Sequence, residues 1–204
     1  MKIIKRINKQ RGYTIIETMI SVSLFLVVVM SGMGALLNAN RLHQKSQNMR
    51  SIMDSLSFVL EDMSRNLRNG YNYHCFVSGD TIPASPASSI SIPKSCSSGW
   101  AIAYEAAEGD KRPLFYNDQG IYYVSNDGKI FKSTDGAQTF IQLTPNEVVI
   151  NTLSGFSVLG AEAPSFPNTQ QPIVLIKLIG TINAKGVITP FSLQTSVTQR
   201  VVDL

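Results

Sequence analysis

Apolar residues dominate the chain near its N-terminus. From Tyr13 to Leu37 there are 25 residues with a single charge, that of Glu17. A helix of about 20 apolar residues is long enough to cross a bilayer, so this run predicts a membrane-spanning helix. Five Lys or Arg residues precede the run within residues 1–12, and three follow it within residues 38–50. This excess predicts a cytoplasmic N-terminus and places the rest of the chain outside the membrane.

The pattern then changes to an apolar stripe of helical period. Apolar side chains recur at steps of three and four, as in a helix with one buried face. The stripe consists of Met49, Ile52, Met53, Leu56, Val59, Leu60, Met63 and Leu67. Arg65 and Arg68 followed by Gly70 are typical of a helix end. We therefore predict one helix over residues 13–69, with a membrane half at 13–37 and an amphipathic half at 38–69.

Residues 70–204 predict a β-rich globular head. The stretch 71–99 is rich in Pro and Ser and predicts a loop. After it, short apolar runs separated by turn residues are typical of strands, with hairpin turns at residues 126–128 and 183–186. The predicted strands are Trp100–Tyr104, Leu114–Tyr116, Ile121–Ser125, Lys129–Lys132, Thr139–Leu143, Val148–Asn151, Ile173–Ile182 and Phe191–Val201.

The last predicted strand shows how the head and the helix fit together. Apolar side chains alternate with Ser, Thr, Gln and Arg along it, which predicts a sheet with one apolar and one polar face. The apolar face is the expected partner of the helix stripe. The predicted fold class is therefore α+β, a long N-terminal helix packed on an antiparallel β-sheet head.

The distribution of charge argues against a nucleic-acid-binding protein. The formal net charge is +4, but five of the 18 cations lie in residues 1–12, where there is no acid. The remaining 13 cations face 14 acids, a net charge of −1. No basic stripe with interleaved aromatic residues is left, so we predict no nucleic-acid partner.

The two cysteines, Cys75 and Cys96, enclose most of the predicted loop. Neither belongs to a CxxC motif or a Cys/His cluster, so no metal site is predicted. Two unrelated thiols would be expected in the cytosol, whereas one disulfide is expected in an exported protein. Because the membrane segment indicates export, we predict a Cys75–Cys96 disulfide that closes the loop 75–96.

Catalytic motifs are missing from the sequence. His43 and His74 have no partner at a recognisable spacing, and there is no HExxH, GxSxG, Walker or dinucleotide motif. Tyr71, Tyr73, Tyr122 and Tyr123 could form a binding patch, but buried or half-buried sheet positions are the more common fate of such residues. We predict neither an enzyme nor a cofactor.

One short segment, residues 133–140, resembles the Asp-box of sialidase-like propellers. It reads Ser-Thr-Asp-Gly-Ala-Gln-Thr-Phe and occurs once, whereas propellers need repeated blades. We predict a turn held by the side chain of Asp135, with carbohydrate or calcium contact as the alternative.

The segment Arg11-Gly12-Tyr13-Thr14-Ile15-Ile16-Glu17 strongly resembles the N-terminal signal of type IV prepilins and type II secretion pseudopilins. That signal is a basic leader ending in Gly, then an aromatic residue, an apolar stretch and Glu at the fifth mature position. An ordinary secretory signal peptide would have a shorter apolar stretch and a small-x-small cleavage site, of which residues 37–39 are a poor version.

The resemblance implies roles for three residues. Prepilin peptidase, which is also the N-methyltransferase, would cleave after Gly12 and methylate the new N-terminus at Tyr13, so that residues 1–12 are a leader peptide. Glu17 would then act in assembly with other pilins or pseudopilins through the helix. The inner-membrane assembly platform and membrane lipid are the other partners that the resemblance implies.

Two functions are compatible with these observations. The first is a structural subunit, a minor pilin or pseudopilin, whose head and closing segment Phe191–Arg200 resemble the J-type minor pseudopilins. It would be a single-pass inner-membrane protein and then part of a filament in the periplasm or at the cell surface. The second is a membrane-anchored extracellular binding or glycan-active protein. Pilus, secretion and DNA-uptake machinery remain open at this point.

Overall fold

The computed structural model describes residues 12–84, 88–107, 118–162, 170–184 and 186–200. The contacts divide the chain into two compact units, residues 1–46 and 47–204. Within the described ranges, the α-helix α1 runs from Ile15 to Asn69. The sequence predicted a start at Tyr13, two residues too early, and the predicted end at Asn69 is confirmed. Gly70 follows the helix, and its amide donates to the carbonyl oxygen of Asn66 at 2.9 Å.

In the described residues, ten strands follow α1. They are β1 (Tyr71–Phe76), β2 (Cys96–Gly99), β3 (Ala101–Glu105), β4 (Gln119–Val124), β5 (Ile130–Ser133), β6 (Ile141–Gln142), β7 (Val148–Ile150), β8 (Gly155–Leu159), β9 (Ile173–Ala184) and β10 (Val187–Thr198). A short 3₁₀ helix, Ser88–Ser91, lies between β1 and β2.

The strands form two antiparallel sheets. The first sheet has the order β1-β3-β4-β5-β6, and the second has the order β10-β9-β8-β2. Strand β7 also pairs with β9, beside the end of β9 that β8 leaves unpaired. The predicted α+β arrangement of a long helix and an antiparallel head is confirmed, with two sheets in the head.

One apolar core joins the second half of α1 to both sheets. Its helical members are the stripe residues Ile52, Leu56, Val59, Met63 and Leu67, all buried. Met49, Met53 and Leu60 are partly buried against the same core, so the predicted stripe is confirmed in full. Both sheets supply the other side of this core, for example Tyr122 of the first and Leu178 of the second.

A second, smaller cluster covers the opposite face of the first sheet. Ala101 and Ala103 of β3 point into it, whereas Ile102 and Tyr104 point into the main core. Its other members are Phe76 of β1, Ile90 of the 3₁₀ helix, Ile121 of β4, and Ala137, which follows β5. The central strands of the first sheet, β3 and β4, are therefore buried on both faces over most of their length.

The prediction of a loop over residues 71–99 is wrong in part. Strands β1 and β2 lie within it, and β1 pairs with β3 from Phe76 to Tyr71 across one irregularity. Strand β8 was not predicted either. The predicted strand Leu114–Tyr116 lies outside the described residues, as does the end of Phe191–Val201.

The other predicted strands are present with shifted ends. The largest shift is in the last strand, which begins at Val187 instead of Phe191, while Thr139–Leu143 is shortened to Ile141 and Gln142. Both predicted hairpins are confirmed. Gly128 (φ 69°) turns the chain between β4 and β5, and Gly186 (φ 81°) turns it between β9 and β10.

Candidate functional site

The start of α1 is an exposed junction between extended chain and helix. Gly12 and Tyr13 precede the helix, and the Tyr13 side chain is 82% exposed. The peptide bond between them is thus in non-helical, accessible chain, the kind of position at which proteases cut. Glu17 lies in the first turn of α1.

Thr14 caps the helix. Its Oγ1 accepts a hydrogen bond from the amide of Glu17 at 3.3 Å, and its carbonyl oxygen accepts from the amide of Thr18 at 3.2 Å. Thr-x-x-Glu is the sequence of a capping box, with Thr at the cap and Glu three residues later. Sequence reasoning missed this cap, although residues 14–17 carried the signal. Glu17 is therefore placed where the helix dipole favours a negative charge.

The hydroxyl groups that follow are satisfied within the helix. Thr18 and Ser23 donate to carbonyl oxygens three residues earlier, and Ser21 and Ser31 to those four residues earlier, each at 2.8 Å. Such bonds allow hydroxyl side chains to lie in an apolar environment. Among the described residues, none pairs with the Glu17 carboxylate.

The apolar surface of this part of α1 is uncovered. Apart from the half-buried Val29, the large apolar side chains from Ile15 to Leu37 are about half to four-fifths exposed, for example Ile15 at 79% and Leu26 at 49%. In the described part of the chain, α1 is the one helix long and apolar enough to cross a membrane. This helix fits a single-pass membrane anchor.

The disulfide between Cys75 and Cys96 joins β1 to β2, with 5.9 Å between the two Cα atoms. Gly99, at the end of β2, makes room for it. A Cβ atom at this position would contact Sγ of Cys75 and would lie 2.8 Å from the carbonyl oxygen of Phe76. The bridge is therefore packed closely against the backbone of β2.

The Asp-box-like segment is a turn held by Asp135. Its carboxylate accepts hydrogen bonds from the hydroxyl of Ser133 and from the amides of Gln138 and Thr139, and Oδ2 accepts from Oγ1 of Thr139 at 2.6 Å. These bonds, above all the one from the Thr139 hydroxyl, lower the pKa of Asp135 to about 2. The predicted turn is confirmed, and it directs Ala137 into the second apolar cluster.

The other candidate residues of the head are structural. Tyr73 and Tyr122 are buried and Tyr71 and Tyr123 are half-buried, as the sequence suggested. Nδ1 of His74 lies 2.7 Å from the carbonyl oxygen of Ile92. Within the described ranges, no group of three or more His, Cys, Asp and Glu residues could hold a metal ion.

A polar cluster on the inner face of the first sheet was not predicted. The hydroxyl of Tyr122 donates to Asp62 at 2.8 Å and accepts from the amide group of Asn66 at 2.8 Å. Nζ of Lys132 donates to both carboxylate oxygens of Asp62 at 2.9 Å. Asp62 and Asn66 belong to α1, whereas Tyr122 and Lys132 belong to the sheet, so only the tertiary structure brings the four together.

Comparison with known proteins gives one match. The family model of the prokaryotic N-terminal methylation motif matches residues 7–33. No curated protein and no solved structure matches the chain. The N-terminal segment is therefore of the type IV prepilin or pseudopilin type, a structural family whose motif implies processing by a prepilin peptidase and assembly with other pilins.

Proposed function

We propose that the chain is a minor subunit, a pilin or pseudopilin, of a type IV pilus or type II secretion filament. The observation that carries the proposal is the register at the start of α1. Gly12 and Tyr13 precede the helix, Glu17 lies in its first turn, and an exposed apolar surface follows. The matching methylation motif, residues 7–33, includes Gly12, Tyr13, Glu17 and most of this apolar surface.

Processing after Gly12 would complete this site. The leader, residues 1–12, is removed by prepilin peptidase, and the new amine of Tyr13 is methylated by the same enzyme. That amine lies one residue before the cap Thr14, next to the first helical turn, which carries Glu17. A carboxylate without a partner in the described structure thereby gains a cation nearby, in its own chain or in a neighbouring one.

Each part of the chain has a role in this proposal. Residues 13–37 anchor the protein in the inner membrane with the N-terminus in the cytoplasm, and residues 38–69 carry the head, residues 70–204, outside it. The assembly platform then moves the subunit from membrane lipid into a filament in the periplasm or at the cell surface. There the apolar surface of α1 is covered by the helices of other pilins or pseudopilins, which removes it from lipid without exposing it to water.

The J-type minor pseudopilins are the subtype that we favour. The support for this is the similarity of the closing segment Phe191–Arg200, most of which lies in β10, and the size of the β-rich head.

The intact mass of the native protein tests the proposed processing. We expect a chain that begins at N-methylated Tyr13 and retains the whole apolar helix. Gly12→Val should keep residues 1–12, because a branched side chain replaces the cleavage-site glycine, whereas Tyr13→Phe should be processed normally. A native chain that begins at Met1 or beyond Asn38 would contradict the proposal.

A further inference from the structure

Strand β10 is a long free edge of the second sheet. It pairs with β9 over twelve residues, and no strand of the described structure lies on its other side. The other sheet edges offer fewer free backbone groups for a new strand. Strand β6 has two residues, β2 has four, and β1 already bonds to Lys94 through Tyr73 and Cys75.

The hydrogen bonds of β9 determine which amides of β10 face the free edge. The carbonyl oxygen of Ile179 accepts from the amide of Asn151 at 2.7 Å, and the amide of Asn183 donates to Glu147 at 2.8 Å. Both bonds lie on the β7 side of β9. The backbone N–H and C=O groups of the odd-numbered residues of β9 therefore point away from β10, and those of the even-numbered residues point toward it. The even-numbered residues of β9 lie opposite odd-numbered residues of β10. The β10 residues whose backbone groups bond to β9 are therefore Thr189, Phe191, Leu193, Thr195 and Val197.

The alternate residues of β10 therefore present their backbone groups to the free edge. Pro190 is one of them, and it has no N–H to leave unpaired. Arg200, in the same phase, donates its amide to the carbonyl oxygen of Arg68 at 2.9 Å. No hydrogen bond within the described ranges uses the four amides between them, those of Ser192, Gln194, Ser196 and Thr198, whose side chains are exposed.

This edge lacks the usual protection against strand pairing. Natural edge strands are commonly blocked by charged residues, by shortness or by a covering element. Residues 187–198 contain no charged residue at all, and only Pro190 interrupts the row of donors. Eight residues from Phe191 to Thr198 are left as a continuous template for another strand.

A groove runs beside the last part of this template. It has a volume of about 420 Å³ and is lined by residues 195–197 of β10 and by Glu61, Ser64, Arg65, Arg68 and Asn69 of α1. Arg65 and Arg68 are exposed, and Arg65 donates to Glu61 at 2.8 Å. Two arginines against one glutamate leave the groove net positive. An edge strand flanked by a helix is the arrangement in which an extended peptide adds as a new strand.

We infer that β10 accepts an extended strand of another filament subunit, which adds along residues 191–198 and places a carboxylate against Arg65 and Arg68. The inference rests on the proposed function, because the partner is a member of the same filament. A second copy of β10 fits less well, since it has no acid to meet the two arginines.

Hydrogen exchange of β10 tests the inference whichever subunit the partner is. The processed full-length protein is compared in native filaments and after their dissociation in detergent. We expect the amides of Ser192, Gln194, Ser196 and Thr198 to exchange at least about tenfold more slowly in filaments, because each gains a hydrogen bond. The β9-facing amides should be slow in both states. Unchanged rates at the four outward amides would overturn the inference.

A proline at Gln194 provides a second test. Gln194→Pro removes one outward N–H, as Pro190 already does, and leaves the bonds to β9 in place. We expect at least about fivefold lower incorporation into filaments, whereas Gln194→Ala, which keeps the N–H, should incorporate normally. Slow exchange of the β9-facing amides shows that the proline variant has folded. If it has not, Gln194→Lys, which puts a charge on the edge, takes its place. Equal incorporation of the folded edge variant and the alanine variant would speak against the inference.

Photo-cross-linking identifies the partner. Ser196→Cys is labelled with benzophenone maleimide, and the filaments are irradiated. A covalent product with a different filament subunit is expected, while a dimer of this chain or no product would refute the inference. If the native protein is absent from filaments, the proposed function is overturned as well. If it is present but its four outward amides still exchange fast, this inference alone is overturned.

Discussion

The hydroxyl of Tyr122, on β4, lies 2.8 Å from Oδ2 of Asp62, on α1. Tyr122 is fully buried, and burial is the main cause that raises its pKa above the ordinary value. The neighbouring Tyr104 ring stacks on it with 5.9 Å between centroids, and burial raises the pKa of Tyr104 to about 12. Both phenols are therefore neutral over the physiological range. The hydrogen bond between Tyr122 and Asp62 gives the helix and the first sheet a directional contact within an apolar interface.

Tyr122→Phe should destabilise the head. It removes the hydroxyl that donates to Asp62 and accepts from Asn66, while Lys132 and Asn66 still bond to the Asp62 carboxylate, so we expect a cost of about 1 kcal/mol. Tyr123→Phe is the matched control, because the neighbouring Tyr123 is half-buried and packs through its ring on Phe131 at 5.1 Å. Denaturant unfolding of the detergent-solubilised protein measures both. Equal unfolding midpoints for the two variants would show that the Tyr122 hydrogen bond does not stabilise the head.

The turn at Asp135 should weaken in acid. Since its hydrogen bonds hold the folded pKa at about 2, below the usual value of about 3.9, its contribution to stability is full above pH 4. It is lost as the pH falls from about 4 to 2. Asp135→Asn should lower stability at pH 7 by about 1 kcal/mol, because the amide group replaces an acceptor by a donor.

The same variant provides the pH test. Between pH 4 and 2, wild type should lose more stability than Asp135→Asn, so that the difference between them shrinks as the pH falls. Glu147→Gln, which changes an exposed acid outside this turn, serves as the control. A difference between wild type and Asp135→Asn that stays constant down to pH 2 would count against this role of Asp135.

This turn also explains an error in the strand prediction. The apolar pattern of Thr139–Leu143 predicted five strand residues, but the Asp135 carboxylate takes the amide of Thr139. Strand β6 therefore begins only at Ile141; Ile141 and Gln142 pair with β5, and the amide of Leu143 still donates to the carbonyl oxygen of Ile130 at 2.8 Å. Local side-chain hydrogen bonds compete with a β-ladder, and hydrophobic periodicity does not register that competition.

The apolar run of residues 13–37 and the helix stripe could be predicted because both are local features, an uninterrupted apolar stretch and a helical period. The same holds for the two glycine hairpins, whose turn residues are consecutive. Strand β1 could not be predicted this way. It begins in a Pro- and Ser-rich region, it has an irregular register between Tyr71 and His74, and Asn72 takes a positive φ of 53°. Its partner β3 and the Cys75–Cys96 bridge hold it in place, and such long-range contacts leave no periodic signal in the sequence.

Gly99→Ala should impair the disulfide. Its added Cβ would contact Sγ of Cys75 and crowd the Phe76 carbonyl oxygen at 2.8 Å, so β2 or the bridge must shift. Overpacking of this kind costs about 1–3 kcal/mol, and loss of the bridge itself costs about 3 kcal/mol. Ser98→Ala, at the exposed neighbouring position of β2, should have little effect. Thiol labelling of non-reduced protein and denaturant unfolding check both expectations. Full oxidation and an unchanged midpoint in Gly99→Ala would show that the close packing has no consequence.

Glu17 has two separable contributions at the helix start. Its backbone amide takes part in the Thr14 cap, and its carboxylate places a charge in the first turn of an apolar helix. Thr14→Ala removes the cap at a cost of about 1 kcal/mol and leaves the charge. Glu17→Ala removes the charge and leaves the cap, since an alanine still has the amide. The two variants therefore distinguish a helix-start role from an electrostatic one.

We predict that Glu17→Ala is cleaved after Gly12 but enters filaments poorly, that Glu17→Gln is only partly tolerated, and that Thr14→Ala enters normally. In the proposed filament, the carboxylate would meet the methylated amine of a neighbouring Tyr13 inside the helix bundle. There low dielectric strengthens the pairing while desolvation offsets much of the gain, so the benefit is a fixed register more than added stability. Mass spectrometry of the membrane pool measures cleavage, and the filament fraction measures incorporation. Cleaved Glu17→Ala protein at wild-type levels in filaments would contradict the electrostatic role, because the cap alone would then suffice for assembly.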